Sequence, residues 1–367
     1  MALIVDTNLL STIARMGLAT LREQIHLVKR TNREYERDIS SATRGSTVNV
    51  VVPAPITAVA VTPGGVHPND TAAVTPTKVP ITLSQWYRSA FDFSDKQAAQ
   101  VDRGIVPMQI QEAIRGLVNT IETNVWLNYK ALFGFAGVPA STPFATDIGE
   151  FLLAEKFAND QLMPVDRRAL IMDTAANANW KGLRRTYDRN FGDVGVEPVW
   201  SPFVPTHTAG TWTNAGTTTG TNAAGQGVVN LTGGTGSILV GDVVTFAGAD
   251  TQTYVVTAAT GTAPTTAITV YPNLKTAKSS TEVVTVKASH KVNLLLHPNA
   301  IAFAMAPMQA GAMVQGAGAT EATVVDNESG LALRLTYFRQ FYQDEWSFDA
   351  LWGSAVPRPE LGVRIAG

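Results

Sequence analysis

The residues that could do chemistry are few. The chain has five histidines and no cysteine, so thiolate zinc sites, disulfides and cysteine nucleophiles are all excluded. His290 and His297 lie seven residues apart, on a strand and its exit turn, a placement that turns them to opposite sides rather than onto one ion. His67 stands at a turn-rich tip with no second His, Asp or Glu at a metal spacing, so it is expected in solvent. A nucleophilic Ser or Thr would need its context, and the sequence holds no G-x-S-x-G, no H-E-x-x-H and no Walker A motif. Gly233-Gly234-Thr235-Gly236 has the glycines of a phosphate loop but neither its Gly-Lys-Ser/Thr ending nor a following helix. Among 30 carboxylates no pair stands out as an acid and its base. Arg184, Arg185 and Arg189 form the densest basic patch after the N-terminal arm. They fit an inter-subunit ion pair or an anion site, or a solvated patch beside Asp188 and Asp193. The expectation is a chain with no catalytic residue, no cofactor and no metal, and so not an enzyme.

Charged residues are only 16% of the chain and apolar ones 45%. A protein so poor in charge must bury much of its surface, and a partner's surface is the expected place; a Thr/Gly-rich secreted β protein would read similarly. The formal net charge of −2 argues against a protein that coats nucleic acid, which needs clustered Lys and Arg. No apolar run approaches the roughly 20 residues that span a bilayer. The opening MALIVDTNLLSTIARMGL lacks the charged start and the cleavage site of a signal peptide, so synthesis inside the cell and no membrane are expected.

What must position these residues is organised around one long helix, PMQIQEAIRGLVNTIETNVWLNYKALF, at 107–133. Ile110, Ile114, Leu117, Ile121, Val125 and Leu132 share one face, Pro107 suits a first turn, and Gly134, Gly137 and Pro139 stop the run. At about 1.5 Å per residue it is roughly 40 Å long. Residues 6–38 read as one helical arm whose stripe is Leu9, Leu10, Ile13, Leu18, Leu21, Ile25 and Val28; it packs on its own domain or reaches a neighbour. Residues 45–83 alternate apolar and small polar residues and carry prolines at 53, 55, 63, 68, 76 and 80. They read as a long two-stranded loop with the tip PGGVHPND, too thin to fold without something to lie on.

Further on, ITLSQWYRSAFDF is a strand, with Trp86, Phe91 and Phe93 expected to anchor the hairpin base onto the long helix. A helix is expected near 147–162, with Asp147 and Glu150 as a capping-box-like pair. The run Ala169–Met172 is a buried strand feeding a helix from Asp173, the unit of an α/β layer. Residues 206–291 then lose nearly all charge and give five or six short β-branched runs, a small barrel or sandwich inserted into an α/β region that resumes at 292–296. Three strand-like runs fill 322–352, and SAVPRPELGVRIAG closes with one more.

This order of elements resembles the major capsid proteins of tailed bacteriophages with the Hong Kong 97-type fold. The strings GDVVTFAG at 241–248, TYVVTAATG at 253–261 and TAITVYP at 266–272 are similar to the inserted (I) domain of short-tailed phage coats. AVPRPELGV at 355–363 is similar to the tail of that branch, and ALIMDTAANANWKG stands where such coats enter the A-domain. The resemblance implies an α+β chain: an N-terminal helical arm at 1–44, an extended E-loop hairpin at 45–83, and a P-domain at 84–165 with its spine helix. An A-domain follows at 166–205 and 292–340, a β-barrel-like insertion at 206–291, and C-terminal strands at 341–367 return to the P-domain.

It implies self-assembly into the icosahedral head around double-stranded DNA, as hexamers and pentamers, with a scaffolding protein, a portal and a decoration protein as partners. Packaged DNA would meet it only by weak contact in the lumen. The place would be the virion, after assembly in the bacterial host cytoplasm. The inter-subunit contacts expected are Val61, Pro63, Gly64, His67, Asn69 and Asp70 at the loop tip, Arg184, Arg185 and Arg189, and Arg30, Arg33 and Glu34 on the arm. The insertion is short and charge-poor, so no dimer-locking salt bridge is carried over. An encapsulin-type compartment shell shares the fold, and a glycan-binding module on 206–291 is the reading from a different class.

If the inserted block acts as a folding core of the subunit, deleting residues 210–288 should cost monomer solubility more than shell geometry. An unaltered refolding yield would count against that role.

Overall fold

Ile110, Ile114, Leu117, Ile121 and Val125 are all buried along the long helix, which runs Ile105–Trp126 and tightens into a 3-10 turn at Leu127–Ala131. The α-helix stops short of 133 because Asn128 turns its amide back onto the Val125 carbonyl, at 2.8 Å, and onto Ser354 Oγ of a distant strand. In this computed structural model the residues described are 7–33, 47–53, 56, 76–96, 105–186, 195–212, 217–218, 222–248, 250–263, 265–279, 282–308, 319–325 and 331–367.

The arm is not one helix to residue 38. It is helical over Thr7–Gln24 and then turns through a 3-10 segment at Val28–Arg30; residues 34–46 lie outside those described. The cause is Glu122, fully buried on the long helix. Its carboxylate accepts the backbone N–H of His26 at 2.7 Å, of Leu27 at 3.1 and 3.2 Å and of Val28 at 3.4 Å. Donors given to a side chain cannot continue an i→i−4 ladder. Leu18, Leu21, Ile25 and Val28 are buried in the core that holds the long helix, so this described part of the arm packs at home.

Strands β1 (Thr47–Val52) and β2 (Thr77–Thr82) pair antiparallel, with Pro80 tolerated opposite Asn49 because the ribbon has only two strands. Its base does not wait for another molecule. Val48, Val50, Ile81 and Leu83 close a small core with Ala302 and Ala304 of the same chain. The strand expected at ITLSQWYRSAFDF is split between β2 and β3 (Gln85–Ser94), and Trp86 is 64% exposed rather than an anchor. Phe91 does pack on the main core.

Two sheets cover the long helix and its neighbours. One has the order β4 (Gly134–Gly137), β19 (Gly362–Ala366), β14 (His290–Leu296), β5 (Ala169–Met172), β6 (Glu197–Trp200), with β7 (Thr206–His207) also on β14. The other runs β15 (Ala302–Ala306), β18 (Gln343–Ala355), β17 (Ala332–Gln340), β16 (Ala319–Val325), with β3 along β18. Strand β5 is buried at every position and feeds the helix Thr174–Thr186, whose first turn is capped by Asp173 Oδ1 on the Ala176 N–H at 2.9 Å. The helix expected from Asp147 starts later, at Gly149, and ends at Asp160. Asp147 accepts only the Gly149 N–H, and no side chain caps the first turn, so the capping box does not form.

Between β7 and β14 a six-stranded antiparallel sheet has the order β13 (Val284–Val286), β10 (Val243–Phe246), β11 (Tyr254–Thr262), β12 (Thr265–Tyr271), β9 (Val228–Thr232), β8 (Thr217–Thr218). It buries its own cluster around Trp212, Leu231, Tyr254 and Ile268, separate from the main core. Among the described residues one isolated bridge, Asn222 with Lys278, links the segments that flank its two outer strands. The glycines at 233–236 serve this core: a Cβ on Gly234 would sit 2.1 Å from the Trp212 ring. Lys278 is buried too, its ammonium 2.8 Å from Asp250 Oδ2, an oxygen that also accepts the Tyr254 hydroxyl at 2.6 Å.

Replacing Glu122 by Leu leaves buried N–H groups at 26–28 without an acceptor and should cost on the order of 3 kcal/mol. Glu122→Gln keeps one acceptor oxygen and should cost less. Chemical denaturation of the three proteins reads the order, and equal stabilities would contradict the role given to this carboxylate.

Candidate functional site

The six-stranded sheet joins the rest of the chain through β7 on the way in and β14 on the way out. These two strands pair antiparallel in a register that sets His207 opposite His290. The two rings lie 5.3 Å apart and both are buried. Around them converge Tyr129 from the 3-10 turn after the long helix, Asp242 from the turn before β10, and Arg364 from β19.

Tyr129 Oη is 3.0 Å from His207 Nδ1, and His207 Nε2 is 2.9 Å from Asp242 Oδ1. The tautomer that gives each bond a donor has the tyrosine hydroxyl donating to Nδ1 and Nε2–H donating to the carboxylate. Asp242 also accepts the Gly210 N–H at 3.1 Å and the Leu239 N–H at 2.7 Å. Arg364 donates to the Gly241 carbonyl at 2.8 Å and lies over the Tyr129 ring, 5.1 Å from its centre. Burial pushes the guanidinium down to about 9, opposed by Tyr129 and Asp242, so it stays charged at neutral pH. His290 donates Nδ1–H to the Ala288 carbonyl at 2.8 Å and stands edge-on to Phe135.

Tyrosine, histidine and aspartate in a hydrogen-bonded row resemble a catalytic relay, but Tyr129, His207 and Asp242 are 4%, 2% and 0% exposed. No substrate reaches a group sealed so, and a relay needs an open face at its nucleophile. What the arrangement does is hold: five side chains from five segments fix the six-stranded sheet against the body.

Sequence spacing turns His290 and His297 to opposite sides, and the ring that does stand beside His290 is that of His207. His297 is buried elsewhere, and its Nδ1 accepts the Asn299 N–H at 3.2 Å in a 3-10 turn. Among the described residues no three His, Asp or Glu gather as a metal cluster would require. The histidine pair was missed, although the charge-poor block carries one histidine near each boundary. Val61, Pro63, Gly64, His67, Asn69, Asp70, Glu34 and Arg189 lie outside the described residues. Arg184 and Arg185 fall in the helix Thr174–Thr186. Arg30 spends its guanidinium on its own chain, on the His26 carbonyl at 3.0 Å and in an ion pair with Glu197. Arg33, three residues on, is half-buried.

No family profile matches this chain, and no curated protein matches its sequence. Solved structures do. One from Mycobacterium phage Che8 superposes with a TM-score of 0.50 at 12% identity, over 93% of this chain and 91% of that one. The capsid structure of the cyanophage P-SCSP1u follows with 0.47 at 12% identity, over 92% and 85%. A virus-like particle from Pyrococcus furiosus gives 0.45 at 8% identity, over 97% and 99%. At such identities the likeness is one of fold, and the fold is the Hong Kong 97-type fold of phage capsid subunits.

The clasp around the histidines should respond to acid. Burial above all pulls His290 down from 6.5 to about 4, helped by His207 and Arg364 and opposed by the Ala288 carbonyl and Asp242. A base whose folded value is depressed favours the fold while neutral. Its contribution is whole above pH 6.5 and is lost as pH falls toward 4. Thermal unfolding followed across that window should fall more steeply for the natural chain than for His290→Asn. Parallel curves would take His290 out of the response.

Proposed function

We propose that this chain is the major capsid protein of a tailed bacteriophage, the subunit of an icosahedral head around double-stranded DNA, with a structural and not a catalytic role. The observation that carries this reading is the extent of the fold: the superposition on the Che8 structure takes in 93% of this chain and 91% of that one. A common β-sandwich or helical pair would match locally, not from arm to last strand.

Composition supports it. With charged residues at 16%, the chain leaves large apolar side chains in solvent, among them Leu162 and Phe341 at 87% exposed and Met108 at 65%. Such surface costs nothing once neighbours cover it, and obligate interfaces bury roughly 2,000–5,000 Å². A closed shell repeats each contact by symmetry, which makes many modest interfaces durable without disulfides. No helix among the described residues is long and apolar enough to cross a membrane.

In this reading the subunits gather as hexamers and pentamers, guided by a scaffolding protein and built on a portal, in the host cytoplasm. A decoration protein and weak lumen contact with DNA complete the set of partners. The loop tip from Val61 to Asp70, with Arg33, Glu34, Arg184, Arg185 and Arg189, supplies contacts between copies. The six-stranded block is carried as an insertion of the A-domain.

Expression of the whole chain, followed by sedimentation and electron microscopy, tests the reading. Hollow megadalton particles with fivefold vertices are expected. A monomer at every salt and protein concentration, with or without coexpressed phage scaffold, would overturn it.

A further inference from the structure

The sheet of β3, β18, β17 and β16 has two unlike faces. One presents Leu333, Leu335, Phe348 and Ala350 to the main core. The other is lined by charge. Register sets Arg88 beside Asp349 and Asp349 beside Arg334, and sets Ser347, Thr336 and Glu321 in the next row. Strands alternate their side chains between faces, so Trp86 and Arg88 share this one. Together they line a groove of about 280 Å³ with Phe338 and Glu345.

Most of its charges are already committed. Arg334 donates Nε–H to Asp349 Oδ1 at 2.9 Å and pairs with Oδ2 as well; the Trp86 indole N–H donates to the same Oδ2 at 2.9 Å. Arg88 pairs with Glu345 at 3.0 Å. Glu321 is different: among the described residues it makes no hydrogen bond or close ion pair, and feels only the Arg334 charge that Asp349 already holds. Three carboxylates therefore face two guanidinium groups, which leaves the groove one negative charge in excess. At the opposite side of the groove, on β3, the Trp86 ring stands 64% exposed, with only its N–H committed.

A groove with one carboxylate in excess at one side and an open indole face at the other suits a basic side chain, which the charge attracts and the ring can stack. We infer that this groove receives a lysine or arginine side chain from a second copy of the chain. The choice of a second copy rests on the capsid reading above; charge complementarity rests on the groove alone. The two can therefore fail separately. Such a contact would set the register between copies more than it would add to their affinity.

Two substitutions, Glu321→Lys and Trp86→Leu, test it in the whole chain, with circular dichroism and melting temperature as controls for folding. Each should lower the yield of closed particles by about tenfold while the subunit stays folded. Glu321→Gln should fall between them and the natural chain. Since the protein has no cysteine, Glu321→Cys gives one attachment point for a benzophenone maleimide. After irradiation of mixed light and isotope-labelled chains, peptides joining a light residue 321 to a basic segment of a heavy copy are expected. Natural yields from both substitutions, or links confined to one copy or to a foreign protein, would overturn the inference. If the natural chain forms no particles, the capsid reading is what has failed. Titration of acetyl-arginine amide against the Trp86 indole signal, with Glu321→Gln as the control, then decides the groove by itself: a shift lost in the variant supports it, and no shift rejects it.

Discussion

Asp242 is a carboxylate with no exposure, and everything about the joint between the two halves of this molecule follows from keeping it satisfied. An isolated buried carboxylate is too costly to keep, so the fold surrounds it with donors. Two are backbone N–H groups of the block's own turns, at Gly210 and Leu239. The third is His207, which is oriented in turn by Tyr129 from the far side of the joint. Arg364 supplies the compensating charge nearby without touching the carboxylate, through the neighbouring Gly241 carbonyl and the Tyr129 ring. Removing any one of these leaves a charge or a donor stranded in a dry place. The two cores are thus joined by a polar lock that tolerates little displacement, where an apolar seam would let them slide.

A second carboxylate does the same for the arm. Glu122 ends the first helix by taking its next N–H groups, and so decides where the chain turns toward β15. Burial raises the carboxyl and the three backbone donors lower it again, which is the mark of a site that depends on its hydrogen bonds. Both devices are internal. Each ties together segments far apart in sequence through one buried carboxylate.

Much of this was legible in residue spacing. The stripe from Ile110 to Val125 announced the long helix because its period is local and its side chains are large. The run Ala169–Met172 announced a buried strand because nothing in it is polar, and the Thr/Gly bias of 206–291 marked a separate unit because composition changes at both edges. The fold family followed from the order of these parts. What could not be read depends on partners far away in sequence. Trp86 looks like an anchor until β3 is seen to turn it outward. Helix 6–38 looks continuous until Glu122, nearly a hundred residues on, takes its donors. His207 and His290 are 83 positions apart, and only the register of β7 on β14 makes them neighbours. Periodicity reports which face a residue lies on, and is silent about which distant element arrives there.

The place of β19 in its sheet has a consequence for synthesis. It lies between β4 and β14, parallel to the first and antiparallel to the second, so strands from residues 134–137 and 290–296 are joined by residues 362–366. Until that last stretch has left the ribosome, β4 has no neighbour in the central sheet. The six-stranded block is the opposite case: its strands pair with near neighbours in sequence, and it can close while translation continues. A nascent chain would therefore carry one finished unit on an open body. The central sheet is joined only once residues 362–366 are available, after the block has closed.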